Sequence, residues 1–351
     1  MASAKKPGKL YYFRVPDEWT KEEKLEFLAN NAQADNLASA FSATRRQAAG
    51  GRRQAASKPA PTTLSWKNLS PNSKHTWLRS DTEDEFERYL PIGTKAAKKV
   101  SAVNPEVVFK TYCRGSTTSR DEWAYAFTPA ALTEKIQRHI DNYNIERARL
   151  AGLNLSLEQI NKKINRDRTF IKWTDRLITS LSKDQRLSFS PKHIRLSVYR
   201  PFIRKYLYFD PLLTHRQYQQ HLYFPDAKTE AENRAICLSA VGSVKPFHLL
   251  IADAIPELHL TGDSQTFPFY TYDADGSKRT ENITDWALAQ FRAQYADPSI
   301  SKWDIFYYVY GLLHHPGYRE RYALDLKRSL PRVPFAPATD SPSLILGEGA
   351  G

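Results

Sequence analysis

Hydrophobic and polar residues recur along the chain with two different periods, which predict a mixture of helices and strands. Apolar residues between Ile305 and Leu312 follow helical spacing, and Ser301 with Asp304 precedes them as an N-terminal capping pair. Pro316 interrupts the pattern and predicts a turn before a shorter helix with a basic outer face. Because the first of these helices is apolar or aromatic on almost every side, we expect it to lie in the core.

Other segments show the same two patterns. Thr20 and Glu23 form a second capping pair, and Thr128 before a proline starts a long helix that ends near Leu150. Strands are predicted at residues 10–15, 107–112, 193–199, on both sides of a Gly-Ser-x-Lys loop within 233–253, and at 266–272. Pro268 predicts that the last of these strands lies at a sheet edge. The mixture predicts an α/β fold of the mixed α+β type, with peripheral helices.

Composition narrows the class of protein. The 351 residues carry a formal net charge of +13, a bias that favours a polyanionic partner, of which nucleic acid is the commonest. Cys113 and Cys237 stand far apart without a second cysteine nearby, so neither a disulfide framework nor a zinc site is indicated. No apolar run is long enough to span a membrane, and the first residues do not resemble a signal peptide. We therefore expect a cytoplasmic protein.

Changes in composition divide the chain into segments. Residues 1–30 are predicted to be the edge of a larger domain, because one strand and one helix cannot form a core. Residues 31–63 are rich in Ala, Gln, Ser and Arg, which predicts a flexible basic linker. Residues 64–335 carry the periodic patterns and form the main domain, and 336–351 are expected to be a disordered tail.

The segment 186–210 has the pattern most typical of nucleic-acid binding. Apolar and polar residues alternate from Ile194 to Tyr199, as in a half-buried strand, and a basic, aromatic stretch follows. Arginine on such a ribbon can read a guanine edge, whereas the alternative is an internal pairing with a carboxylate. For Arg200, beside a proline, we expect the internal pairing. We expect DNA contacts from the other cations of the ribbon, Arg195, Arg204 and Lys205.

The segment 113–120 is a second candidate. It is rich in Ser, Thr and Arg, the side chains that contact phosphate, although a plain polar turn is the alternative. Together with cations from other segments, the remaining candidate DNA contacts are Lys110, Arg114, Ser116, Thr117, Arg120, Lys172 and Lys245.

Catalytic motifs are missing from the sequence. It contains no Asn-Pro-Pro-Tyr/Phe, no Phe-x-Gly-x-Gly, no nucleotide-binding P-loop, no Gly-x-Ser-x-Gly and no His-Glu-x-x-His. Asp17, Glu23 and Lys24 match an acidic nuclease set poorly, because the capping pair already explains Glu23. The adjacent His314 and His315 would point about 100° apart on a helix and make a poor metal pair. We expect no catalytic, cofactor or metal residue in this chain.

A set of motifs in a fixed order resembles a known family. Pro91-Ile-Gly-Thr-Lys, Phe109-Lys-Thr-Tyr-Cys-Arg-Gly, Asp121-Glu-Trp-Ala-Tyr, Ile171-Lys-Trp and Tyr199-Arg-Pro-Phe are followed by Phe267-Pro-Phe-Tyr, Glu281-Asn-Ile-Thr, the stretch from Ile305 to Tyr322, and Leu330-Pro-Arg-Val-Pro-Phe. Over residues 64–335 this order is similar to the C-terminal specificity region of type ISP restriction-modification enzymes and related adenine methyltransferases.

The resemblance implies a target-recognition domain that reads an asymmetric site in double-stranded DNA. In the family this domain follows a nuclease, an ATP-driven translocase and an N6-adenine methyltransferase, so residues 10–28 would be the last strand and helix of the methyltransferase. This sequence departs from the family by lacking the catalytic motifs, by a longer segment at 31–63, and by its Gly/Pro/Ser-rich tail.

These departures predict a fragment that binds DNA without modifying it. S-adenosylmethionine, ATP and Mg would belong only to the missing parts. The alternatives are a split subunit that works with a separate methyltransferase chain, and a non-functional gene remnant.

Overall fold

The computed structural model describes residues 10–12, 19–30, 67–69, 80–95 and 106–336. The chain forms two compact units, Met1–Ser80 and Asp81–Gly351. The predicted linker at 31–63, and the predicted tail apart from residue 336, lie outside the described residues.

In the first unit, strand β1 (Leu10–Tyr12) pairs antiparallel with β2 (Lys67–Leu69). Helix α1 (Lys21–Asn30) begins at the predicted capping box, in which the backbone N–H of Thr20 donates to Oε2 of Glu23 at 2.6 Å and that of Glu23 donates to Oγ1 of Thr20 at 3.2 Å. The capping prediction is confirmed, and it explains Glu23 without any catalytic role. Residues 13–15 of the predicted first strand lie outside the described residues.

Most helices and strands of the second unit are short, and the three longest helices have 22, 11 and 13 residues. The helices are α2 (Glu83–Phe86), α3 (Asp121–Ala124), α4 (Pro129–Leu150), α5 (Leu157–Lys163), α6 (Asp175–Ser182), α7 (Gln220–Tyr223), α8 (Ala227–Glu232), α9 (Asp285–Tyr295), α10 (Lys302–His314), α11 (Pro316–Arg321) and α12 (Ala323–Arg328). The strands are β3 (Leu90–Pro91), β4 (Cys113–Arg114), β5 (Tyr125–Ala126), β6 (Ile194–Arg200), β7 (Ile203–Tyr208), β8 (Ala235–Leu238), β9 (Leu249–Ala252), β10 (Ile255–Pro256), β11 (Gln265–Pro268), β12 (Tyr270–Tyr272), β13 (Arg279–Glu281) and β14 (Arg332–Val333).

Two four-stranded sheets organise this unit. The first has the strand order β10-β6-β7-β5, with β10 parallel to β6, and the second has the order β4-β11-β8-β9 with every pair antiparallel. The pairs β12-β13 and β14-β3 form two small ribbons. The predicted fold class is therefore confirmed, because helices surround several small mixed sheets.

Helix α10 lies in the largest hydrophobic cluster, as its pattern predicts. Ile305, Phe306 and Val309 are buried against residues of the second sheet and of α9. Ser301 and Asp304 form the predicted capping box, and His315 caps α11 by accepting from the backbone N–H of Tyr318 through Nδ1. The segment after α12 packs on this core, because Phe335 contacts Phe291 of α9 and the hydroxyl of Tyr308 donates to the carbonyl of Pro334 at 2.8 Å.

Three local predictions are wrong. Residues 107–112 form bends and one isolated bridge at Phe109 rather than a strand, because their backbone N–H groups bond to 91–92 and 282 as a connecting segment. Strand β11 is not at an edge, since it lies between β4 and β8, and Pro268 comes after the last residue paired with β4. Strand β6 is covered on both faces, so the alternation of apolar and polar residues along it does not identify a face that is exposed to solvent.

Candidate nucleic-acid interface

A cavity of about 400 Å³ opens at one end of the second sheet. Its walls come from residues 91–95, from Arg114 and Gln265 on neighbouring strands, and from residues 328–332. Among the described residues, no Asp or Glu side chain lines it. We call it the cationic cavity, because its charged lining residues are Lys95, Arg114, Arg328 and Arg332.

Strand pairing builds the first wall from segments far apart in sequence. Strand β14 pairs with β3 so that Arg332 lies opposite Pro91, and the backbone N–H of Ile92 donates to the carbonyl of Pro331 at 3.1 Å. Nη1 of Arg332 donates to the carbonyl oxygens of Glu87 and Tyr89 at 2.9 and 3.0 Å. Neutral carbonyl groups hold this guanidinium, so its positive charge remains available to the cavity.

The second wall depends on a close backbone approach. Arg114 lies directly opposite Gln265, so both side chains project from the same face of the sheet. At the next residue, Gly115, a Cβ atom would lie 2.7 Å from the carbonyl oxygen of Glu257. Glycine therefore allows the chain to pass close to the Glu257 backbone here, and the neighbouring Arg114 is exposed at the cavity.

The loop at 240–247 borders the cavity on a further side. Ala240 and Val241 line it, and the backbone N–H of Gly242 donates to the carbonyl of Lys327 at 2.8 Å. The same loop carries exposed Lys245. The structure thus places Arg114 and Lys245, both predicted from sequence, at one end of the second sheet.

The hairpin of β6 and β7 presents the other predicted surface cations. Arg204 is half exposed and lies 2.7 Å from the Asp253 carboxylate. Nζ of Lys205 lies 4.1 Å from the ring centre of Tyr199 and 4.9 Å from that of Phe127. Both cations already have favourable contacts, so this surface is less strongly positive than the cationic cavity.

Arg195 does not lie on the solvent side of the hairpin. It is 8% exposed, and its guanidinium donates to the carbonyls of Pro225 at 2.7 Å and Phe224 at 3.0 Å and to the Glu230 carboxylate. The prediction of a DNA contact is not supported, because the segment before α8 covers this face of β6. Arg200, in contrast, pairs with Glu257 as predicted.

The segment 113–120 is mostly a structural turn. Ser116 is fully buried, and its Oγ donates to the carbonyl of Pro256 at 3.3 Å. Thr117 is half-buried and bridges to Arg216. Arg120 is 1% exposed, and Nη2 donates to Oγ1 of Thr174 at 2.7 Å. Apart from Arg114, the structure favours the polar-turn alternative over a phosphate loop.

Burial also affects the charges around Arg120. Nη1 of Arg120 lies 3.4 Å from Nε2 of His139, which is itself fully buried. Burial lowers the pKa of Arg120 to about 10, and burial with the neighbouring guanidinium lowers the pKa of His139 to about 3. His139 is therefore neutral at physiological pH, and the cluster is enclosed within the fold and is not open to a ligand.

Lys110 and Lys172 do not join the cationic cavity. Lys110 lines a separate cavity of about 800 Å³, where its Nζ donates to the carbonyl of Glu281 at 2.9 Å. Burial lowers the pKa of this ammonium group. Lys172 is half-buried beside Ile171, in the part of the unit that contains α4 to α6.

Sequence reasoning missed Lys95, Arg328 and Arg332 as site residues. Lys95 and Arg332 lie within two of the motifs that carry the family resemblance, and this position in the sequence could have identified them as candidate site residues. Within the described ranges, no cluster of His, Cys, Asp and Glu could hold a metal, and both cysteine side chains are buried. In the same ranges, none of the helices is long and apolar enough to span a membrane.

The fold and the cationic cavity define a mixed α+β domain with a surface suited to a polyanion. The chain belongs to the type ISP C-terminal specificity domain family, whose model matches residues 107–341. Comparison with curated proteins gave no match.

Several solved structures resemble the chain. The cryo-EM structure of a DrdV–DNA complex is 34% identical, with a TM-score of 0.73, over 94% of this chain and 29% of that one. A nuclease-deletion mutant of the type ISP enzyme LlaGI, in complex with a DNA substrate mimic, is 30% identical, with a TM-score of 0.64, over 78% of this chain and 24% of that one. The ATP-dependent type ISP enzyme LlaBIII bound to DNA is 25% identical, with a TM-score of 0.67, over 93% of this chain and 19% of that one. This chain thus spans less than a third of each.

Proposed function

We propose that this chain recognises a specific sequence in double-stranded DNA, as the specificity part of a type ISP restriction-modification enzyme. The cationic cavity is the observation that carries the proposal, because Lys95, Arg114, Arg328 and Arg332 line it without a carboxylate among the described residues. Such a surface attracts phosphates and supplies most of the salt-dependent affinity for DNA. The DNA complexes formed by the similar proteins support the same function.

Two groups of residues have different roles in this proposal. The cations of the cavity, with Lys245 and Lys327 beside it, contact backbone phosphates and position the duplex. Arg204 and Lys205 on the hairpin form a second, weaker contact, since each already has a partner in the structure. Ser116, Arg120 and Arg195 act through the fold instead.

The test is a binding titration at rising salt with duplexes selected from a random pool. Arg114→Ala is expected to weaken binding to all duplexes similarly and to reduce the slope of log affinity against log salt by about 1. Lys278→Ala removes an exposed cation from the β12-β13 ribbon, away from the cavity lining, and serves as the matched control. Binding by the wild type that ignores both salt and sequence would contradict the proposal.

We further propose that the nuclease, translocase and methyltransferase activities of the parent enzyme, with S-adenosylmethionine, ATP and Mg, belong to regions outside this chain. On this view residues 1–30 are the edge of a methyltransferase domain, 31–63 a linker, 64–335 the specificity domain and 336–351 a tail. The alternative is a split subunit that serves a separate methyltransferase chain. The split-subunit alternative is tested by adding this chain to a cognate catalytic chain and measuring methyl transfer to DNA. If the addition does not increase methylation, the alternative is wrong.

A further inference from the structure

We propose that Gln265 reads the exocyclic amino group of a DNA base that enters the cationic cavity. The inference rests on the proposed function and adds the chemistry of one base contact. Gln265 is the first residue of β11, directly opposite Arg114, and its side chain lines the cavity. It is 4% exposed, so a ligand must enter the cavity to reach it.

The side chain of Gln265 has an unused hydrogen-bond acceptor. Within the described part of the chain, no donor reaches its Oε1, although this atom is buried. A buried carbonyl oxygen without a donor destabilises a fold, so at a cavity such an atom is open to a donor from outside the chain, and a bound ligand can supply it. Phe267, two residues along the same strand, packs fully into the core, which shows that this face of β11 is otherwise apolar.

The chemistry of the acceptor selects the ligand group. A phosphodiester has no donor, so the phosphate would bind the cations of the cavity rather than Oε1. In the major groove, adenine N6 and cytosine N4 donate, whereas guanine O6 and thymine O4 accept. The volume of about 400 Å³ falls within the range of small-ligand sites, so the edge of one base fits beside a phosphate.

The experiment compares three variants of the whole chain with the wild type. Gln265→Leu removes the acceptor and keeps an apolar side chain of similar size. Gln265→Glu keeps an acceptor oxygen. Gln294→Leu removes an exposed glutamine from α9 as the control. Each protein selects duplexes from a random pool, and sequencing gives the preferred motif.

We expect Gln265→Leu to lose preference at one position of the motif, with affinity for the wild-type motif lower by roughly ten- to a hundredfold. Gln265→Glu and Gln294→Leu should keep the preference. At that position the adenine or cytosine is then replaced by purine or 2-pyrimidinone, which lack the amino group. The wild type should lose affinity for this duplex, and Gln265→Leu should lose much less, which separates the protein contact from weakened base pairing.

The outcomes are distinguishable. An unchanged motif in a folded Gln265→Leu variant would overturn the inference and mean that Oε1 binds only water. Equal losses for the wild type and Gln265→Leu on the analogue duplex would overturn it as well. If the wild type selects no motif, the proposed function itself fails.

Discussion

Nη1 of Arg200 lies 2.5 Å from Oε2 of Glu257, a carboxylate whose side chain is 2% exposed. The backbone N–H of His259 donates to the same oxygen at 2.6 Å, and Asp121 lies 3.7 Å from the other arm of the guanidinium. Burial raises the pKa of Glu257 to about 7, because the contacts with His259 and Arg200 only partly offset the burial and the Asp121 carboxylate adds to it. The pair connects the hairpin to the segment that Gly115 approaches.

Glu257 gives stability a defined pH dependence. Between its ordinary pKa of 4.5 and about 7, the folded state holds a proton that the unfolded state has released. Stability therefore falls as the pH rises through this window and levels off above it. Urea unfolding at several pH values should show the wild type losing on the order of 2 kcal/mol relative to Glu257→Gln between pH 4.5 and 7.5. If the free energies of unfolding of the two proteins changed in parallel with pH, the Glu257 carboxylate would be ionised over the whole pH range.

Arg120→Ala is expected to destabilise the fold without changing the electrostatics of DNA binding. The substitution opens a cavity beside Thr174 and His139, at a cost of about 3 kcal/mol in the free energy of unfolding. Arg120→Met, which keeps most of the volume, should cost less. Calorimetry and salt titration check the result. If folded Arg120→Met showed a smaller slope of log DNA affinity against log salt concentration than the wild type, the guanidinium would have to contact DNA.

Phe202→Gly is expected to stabilise the protein. Phe202 follows Pro201 at the tip of the hairpin with φ of 63° and is 95% exposed, so its ring has little packing to lose. A positive φ after proline is typical of a type II turn, where glycine is the preferred residue. We expect a gain of about 0.5 to 1 kcal/mol, visible as a higher Tm. Phe202→Leu keeps the strained backbone and should give no gain.

Two glycine-to-alanine substitutions should have opposite effects. At Gly115 the new Cβ would lie 2.7 Å from a backbone oxygen, so Gly115→Ala should cost at least about 2 kcal/mol and disturb Arg114. At Gly311, inside α10, no atom lies within 4 Å of the new Cβ, so Gly311→Ala should gain about 1 kcal/mol from helix propensity. Chemical denaturation of both variants measures the change in the free energy of unfolding. If Gly115→Ala were as stable as the wild type, β4 would have to be able to shift away from the Glu257 backbone.

Much of the local structure could be predicted because its causes lie within a few residues. The capping pairs at Thr20 and Ser301, the helix after Thr128, and the strand predicted at 193–199 all form as expected. The family motifs were also visible in the sequence, and the family match confirms them. Cavity residues such as Arg328 carried no local pattern, since that wall forms only when β14 pairs with β3.

The sequence by itself determined the helix and strand periods, the caps, the positive charge and the family, because each depends on neighbouring residues or on residue order. Only the tertiary structure decided which cations face solvent. Arg195 and Arg114 look alike in the chain, yet the segment before α8 covers the first, whereas the second is exposed at the cationic cavity. The physical reason is that burial is set by the element packed on the second face of a strand, and that contact comes from residues far away in sequence.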